Sequence, residues 1–77
     1  MKIRRLDPAH GDQILELSPE QATDLILSEK EEGRVGFVKF SDGQILEMMD
    51  RTGILQQMEE KESSGVMASI VPIIAGG

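Results

Sequence analysis

Apolar residues recur along this chain with two different periods, and the places where the period changes outline its elements. From Lys2 to Leu6 and from Gln13 to Leu17 they alternate with polar residues, as Ile3 and less cleanly Leu6 in the first run and as Leu15 and Leu17 in the second. Alternation of this kind turns one face of a strand toward a core and the other toward water. The intervening Asp7-Pro8-Ala9-His10-Gly11-Asp12 is rich in turn formers, so the two runs predict a β-hairpin.

At Ser18-Pro19-Glu20-Gln21 the period lengthens. A serine at the N-cap accepts from the backbone N–H three residues on, proline at the first helical position has no N–H to leave unpaired, and a glutamine at N3 reaches back to the serine. Ala22, Leu25, Ile26 and Glu29 follow at helical spacing, with Thr23, Asp24, Lys30 and Glu31 on the other faces and Gly33 as a left-handed stop. The prediction is a helix of about four turns lying across one face of a sheet.

Val35, Phe37, Val38 and Phe40 make Arg34 to Phe40 a strand expected to be buried on much of both faces, and Ser41-Asp42-Gly43 turns it back into a further strand over Gln44 to Met49. Asp50-Arg51-Thr52-Gly53 interrupts that pattern. Ile54, Leu55 and Met58 then recur at helical spacing before Glu59-Glu60-Lys61-Glu62, which predicts one or two helical turns ended by Ser63-Ser64-Gly65; one helix running from near Leu46 is the alternative. Val66 to Ile74 is almost uninterruptedly apolar, as expected of a strand buried on both faces in the middle of a sheet. The fold class is therefore α+β, a mixed sheet of four to five strands packed on one helix, with the last strand parallel to the first and lying between two hairpins. That order is the β-grasp arrangement, expected over residues 1–71, with a flexible tail over residues 72–77.

Composition narrows the chemistry. A chain of 77 residues buries only about 60% of the surface its unfolded form exposes, which leaves little room for a deep private active site. Cysteine is absent, so disulfides, thiolate metal sites and a cysteine nucleophile are excluded, and a reducing cytoplasm is the expected compartment. The basic start Met1-Lys2-Ile3-Arg4-Arg5 meets Pro8 before any long apolar segment, and no stretch approaches the roughly 20 apolar residues of a membrane span. A formal charge of −6 disfavours nucleic acid and anionic membranes as partners and favours a basic protein surface. With Phe37 and Phe40 as the only aromatic residues, no platform for stacking bases is expected. His10 stands alone in its turn, so no metal site is expected, and neither a phosphate-binding glycine loop nor a nucleophile motif is present.

The last segment differs from the rest, because nothing from Ser63 to Gly77 carries a side-chain charge. Pro72 lacks an N–H and cannot donate to a sheet ladder, so it is expected to mark the point where the chain leaves the sheet. Beyond it, five or six extended residues reach about 20 Å, enough to carry a terminal carboxylate into a partner's cleft. Gly76 and Gly77 have no Cβ, which permits a narrow channel and attack at an unhindered carbonyl.

Pro72-Ile73-Ile74-Ala75-Gly76-Gly77 resembles the Pro-Pro-Val-Ala-Gly-Gly ending usual in the small subunit of molybdopterin synthase, and with the expected topology the whole chain resembles the ubiquitin-like sulfur carriers and modifiers. Ile73 stands where the second proline of that ending would be. The resemblance implies that this chain is not an enzyme but the substrate of a separate adenylating enzyme. That enzyme uses ATP and magnesium to turn the Gly77 carboxylate into an acyl-adenylate, which sulfur then attacks to give a thioester or thiocarboxylate. A sulfur carrier passes the sulfur to an accepting synthase; a modifier ends as an amide on a target-protein lysine. In either case the resemblance assigns Gly77 as the activated residue, Gly76 to tail access, and Pro72, Ile73, Ile74 and Ala75 to partner binding, with no cofactor bound by the chain itself.

The rival reading is a small non-catalytic interaction or assembly module, such as a phage tail-assembly or regulatory protein, whose β-grasp body binds a partner while the tail merely docks. Among the remaining features, Glu29-Lys30-Glu31-Glu32 and Glu59-Glu60-Lys61-Glu62 read as solvated helix ends and not as catalytic carboxylate pairs. Met48, Met49, Met58 and Met67 read as core filling in preference to an adaptable partner surface.

Overall fold

A computed structural model describes residues 1–6 and 11–73. In chain order the elements are β1 (Lys2–Arg5), β2 (Gln13–Glu16), α1 (Pro19–Glu31), β3 (Val35–Phe40), α2 (Arg51–Ser63) and β4 (Ala68–Pro72). The four strands form one mixed sheet in the order β2-β1-β4-β3. β1 pairs antiparallel with β2 and parallel with β4, and β3 pairs antiparallel with β4, so the last strand lies inside the sheet as its apolar sequence predicts.

Helix α1 begins as its sequence dictates. The Ser18 side chain accepts from the Gln21 N–H at 3.1 Å, and the Gln21 side chain accepts from the Ser18 N–H at 3.0 Å, so two helix-end donors that would otherwise face water are paired. Buried Thr23 turns its hydroxyl back to the Pro19 carbonyl at 2.7 Å, which lets a polar side chain sit on the packed face without an orphaned donor. Gly33, with φ of +74°, closes the helix and returns the chain toward β3.

Ile3, Ala22, Ile26, Val35, Val38, Phe40, Leu46, Ile54, Met58, Ala68 and Ile70 form one buried cluster, drawn from both helices, the segment after β3 and a single face of the sheet. Two helices therefore cover the sheet where one was expected. Ile54 is fully buried at the meeting of α2 with this core, so Ile54→Ala removes methyl groups from a site that cannot fully collapse. We expect a loss of about 2–5 kcal/mol, read as a lower denaturant midpoint at unchanged m-value.

Two expectations are corrected. Gln44 to Met49 does not form a full strand: Phe40 donates to the Gln44 carbonyl and Leu46 to the Val38 carbonyl, both at 2.8 Å, and a single bridge pairs Lys39 with Ile45. At Glu47 the Gln57 side chain takes over, accepting from the Glu47 N–H and donating to the Glu47 carbonyl, each at 2.9 Å, which satisfies in place of a neighbouring strand the groups a longer ladder would pair. Asp50 is then not a breaker but an N-cap, accepting from the Gly53 N–H at 2.9 Å, and α2 runs 13 residues from Arg51 to Ser63 instead of one or two turns or a helix from Leu46. Lys61 near its end reaches Asp42 at 2.5 Å in the turn after β3, and this hydrogen bond holds the Asp42 carboxyl below the usual aspartate range.

The second correction concerns burial. β3 and β4 are not covered on both faces, because both helices pack on the same side. Ala68 and Ile70 point into the core while Ser69 and Val71 are half-buried on the open face, where Phe37 is 42% exposed. The strand expected over Val66 to Ile74 spans Ala68 to Pro72, preceded by Gly65 with φ of +72°.

Candidate functional site

The C-terminal end of β4 is where the sequence analysis expects the chemistry, and its geometry follows from the strands on either side. Pro72 is the last strand residue, opposite Val35. The Ile70 carbonyl accepts from Leu6 at 3.2 Å, and Pro72, two residues on, turns its nitrogen to that same side, past Arg5, the last residue of β1. A proline is thus tolerated in an inner strand because its missing N–H falls beyond the neighbour's end. Ile73 still donates to the Arg34 carbonyl at 3.4 Å, so the chain keeps contact with the sheet one residue past the proline that was expected to release it.

On the other side β3 bulges at Gly36, which lets Val35 face Pro72 while Phe37 faces Val71. A Cβ built on Gly36 would meet the Pro72 carbonyl oxygen at 3.1 Å and that of Val71 at 3.2 Å, so glycine is what permits backbone to approach backbone here.

Beneath this exit lies a charged cluster. Glu29, on α1, is only 5% exposed. One carboxylate oxygen accepts from Arg5 at 2.6 Å and the other from Arg34 at 3.0 Å, while Arg34 also pairs with Glu32. A buried carboxylate is sustained only where its charge is compensated, and here two arginines from different strand ends do it. With Leu6, Gly33, Ile70, Pro72 and Ile73 these residues line a cavity of about 300 Å³ open to solvent. The charge run at the end of α1 is therefore not wholly a solvated face. Glu29 shows it in the sequence by occupying the apolar-face register with Ala22 and Ile26.

The open sheet face adds a second surface to this end. Paired positions place Arg4 between Ile14 and Ser69, Lys39 opposite Ser69, and Phe37 opposite Val71. Ile14, Phe37, Ile45 and Ile73 are exposed large apolar residues, and Lys2, Arg4 and Lys39 stand among them with Glu16 opposite Lys2 and Asp12 paired to Arg4. Exposed acids instead crowd the helices, with Glu20, Asp24 and Glu31 on α1 and Glu59, Glu60 and Glu62 on α2. The net charge of −6 thus belongs mainly to the helical side, while the open face is apolar with its cations largely balanced, Arg4 by Asp12 and Lys2 by Glu16.

Of the residues singled out in the sequence, Pro72 and Ile73 stand at this exit; Ile74, Ala75, Gly76 and Gly77 lie outside the described residues, as does His10. Arg5, Glu29, Arg34 and Gly36 were not singled out as functional. Met58 is buried in the core and Met67 half-buried, whereas Met48 and Met49 are exposed on the segment leading to α2. Among the described residues no helix is long and apolar enough to cross a membrane, and no group of three His, Cys, Asp or Glu side chains could hold a metal ion. No protein-family model, no curated protein and no solved structure matches the chain.

Proposed function

We propose that this α+β chain has the β-grasp, ubiquitin-like fold and works in the cytoplasm as a sulfur carrier or protein modifier through its Gly77 carboxylate. The observation that carries this reading is the position of β4: an inner strand, parallel to β1, whose chain emerges at Pro72 and Ile73 with Ile74-Ala75-Gly76-Gly77 still to follow. A separate adenylating enzyme supplies ATP and magnesium. The Gly77 carboxylate attacks the α-phosphorus and releases pyrophosphate; sulfur then attacks the acyl carbon and releases AMP. The resulting thiocarboxylate or thioester serves a sulfur-accepting synthase or a target-protein lysine. Phe37 and Val71 on the open face, together with Ile73, give the enzyme an apolar surface beside the tail.

The exposed Ile14, Phe37 and Ile45 also support the second reading, a non-catalytic interaction module, since a docking surface alone requires nothing of Gly77. Intact mass separates the two. After incubation with a cognate adenylating enzyme, ATP and sulfide, the carrier reading expects OH replaced by SH at the terminus. An unchanged mass would favour the docking module.

A further inference from the structure

We infer that Glu29 is a positioning residue for the C-terminal tail, fixing the direction in which the chain leaves the sheet after Pro72. The inference deepens the proposed use of Gly77 and rests on it for its functional consequence, but its structural basis is independent. Three segments meet where β4 ends: the end of β1 at Arg5 and Leu6, the end of α1, and the start of β3 at Arg34 and Val35. Glu29 touches all three. Its side chain bonds Arg5 at 2.6 Å and Arg34 at 3.0 Å, and its carbonyl accepts from the Arg34 N–H at 2.9 Å. Arg5 in turn pairs with Ile70, Leu6 donates to the Ile70 carbonyl, and the Arg34 carbonyl accepts from Ile73. The outermost backbone contacts of this exit, Leu6 with Ile70 on one side and Arg34 with Ile73 on the other, are thus made by a residue that Glu29 holds or by its immediate neighbour, while farther in β3 pairs Phe37 with Val71 and Val38 with Ile70 without it.

The burial of this carboxylate points the same way. A helix face needing only packing would carry an apolar residue at position 29, since removing a charge from water is costly and an apolar replacement of a buried ion pair is often as stable. What the ion pairs add is directional: two guanidinium groups on separate strand ends are aligned by one acceptor. Loss of the charge would leave the core intact and loosen the two strand ends against each other.

Glu29→Gln tests this in the full chain, because it keeps shape while removing the charge. Amide exchange at Leu6 and Ile73 should accelerate about tenfold, with less than about a twofold change at Ile26 and Val38 in the core. With the adenylating enzyme, KM for the variant should rise about tenfold while kcat stays within about twofold, since the reacting atoms are unchanged but their delivery is not. If Glu29→Gln fails to fold, Arg34→Met, at a side chain that is more than half exposed, should give the same pattern. Uniform acceleration at all four amides, or none at Leu6 and Ile73, would overturn the inference, as would an unaltered KM beside loosened amides. A wild-type chain that no adenylating enzyme accepts would defeat the proposed function instead, and the exchange result would still decide whether Glu29 sets the exit.

Discussion

A chain lacking Gly76 and Gly77 should melt within about 4 °C of the intact protein and yet be wholly inactive, accumulating neither acyl-adenylate nor thiocarboxylate. The first half follows from where the stability lies. The buried core residues among those described run from Ile3 to Ile70, and the described strand pairing ends at Pro72 opposite Val35, so the deletion removes none of these residues. Changes away from packed or hydrogen-bonded features stay within about 0.5 kcal/mol, which in a domain of this size moves the melting temperature by only a few degrees. The second half follows from the chemistry proposed for Gly77: the deletion leaves a carboxylate on Ala75, two residues short of the reacting position and carrying a Cβ. Calorimetry and intact-mass assays on the same preparation check both halves. Full activity in the truncated chain would remove the carboxylate mechanism and leave the sheet face as the working part of the molecule.

Local chemistry made much of the fold readable in advance, and the exceptions share a cause. The α1 start was legible because Ser18, Pro19 and Gln21 act on backbone groups within four residues of themselves, and that interaction needs no knowledge of the rest of the chain. The inner position of β4 was legible because a charge-free run has few other places to go. The strand misread over Gln44 to Met49 depends instead on Gln57, ten residues on from Glu47, whose amide occupies the backbone groups a longer ladder would have used. In the same way Asp50 reads as a breaker until its bond to Gly53 makes it a cap, and the charged end of α2 conceals how far the helix extends. One-sided burial of the sheet could not be read from Phe37 and Val71, since apolar residues suit both a covered face and a partner surface.

The exit at Pro72 divides in the same manner. Pro72 and the diglycine could be noticed from the sequence because their peculiarity is covalent, one lacking an N–H and the others a Cβ. Arg5, Arg34 and Gly36 are ordinary residues in their own segments, and they acquire a role only when β1, β3 and β4 are brought side by side. Glu29 is the intermediate case. Its register on α1 placed it among the buried positions, but its arginine partners lie 24 residues before it and 5 after it in sequence. A buried carboxylate was therefore foreseeable from the helix alone, whereas its use as a link between strand ends was not.

Gly76→Val should lower the rate of adenylation by on the order of 10²-fold while leaving the affinity of the body for the activating enzyme within about twofold of normal. The separation rests on distance along the chain. Docking is proposed for Phe37 and Val71 on the open face and Ile73 at the exit, none of which the substitution touches. In the proposed mechanism adenylation requires the Gly77 carboxylate to reach the α-phosphorus of ATP through a passage narrow enough that backbone lies against its walls. A β-branched side chain at position 76 adds three carbons at that place and restricts the backbone as well, so the carboxylate is held back from an in-line approach even when the body is seated. Pyrophosphate release measured at saturating protein reads the chemical step, and competition by Gly76→Val against the wild-type chain reads docking. The expected pair of results is a potent competitor that is hardly turned over. Normal turnover by Gly76→Val would make the narrow-channel picture wrong even if Gly77 still proved to be the reactive end, and loss of competition would mean that residue 76 contributes to docking itself.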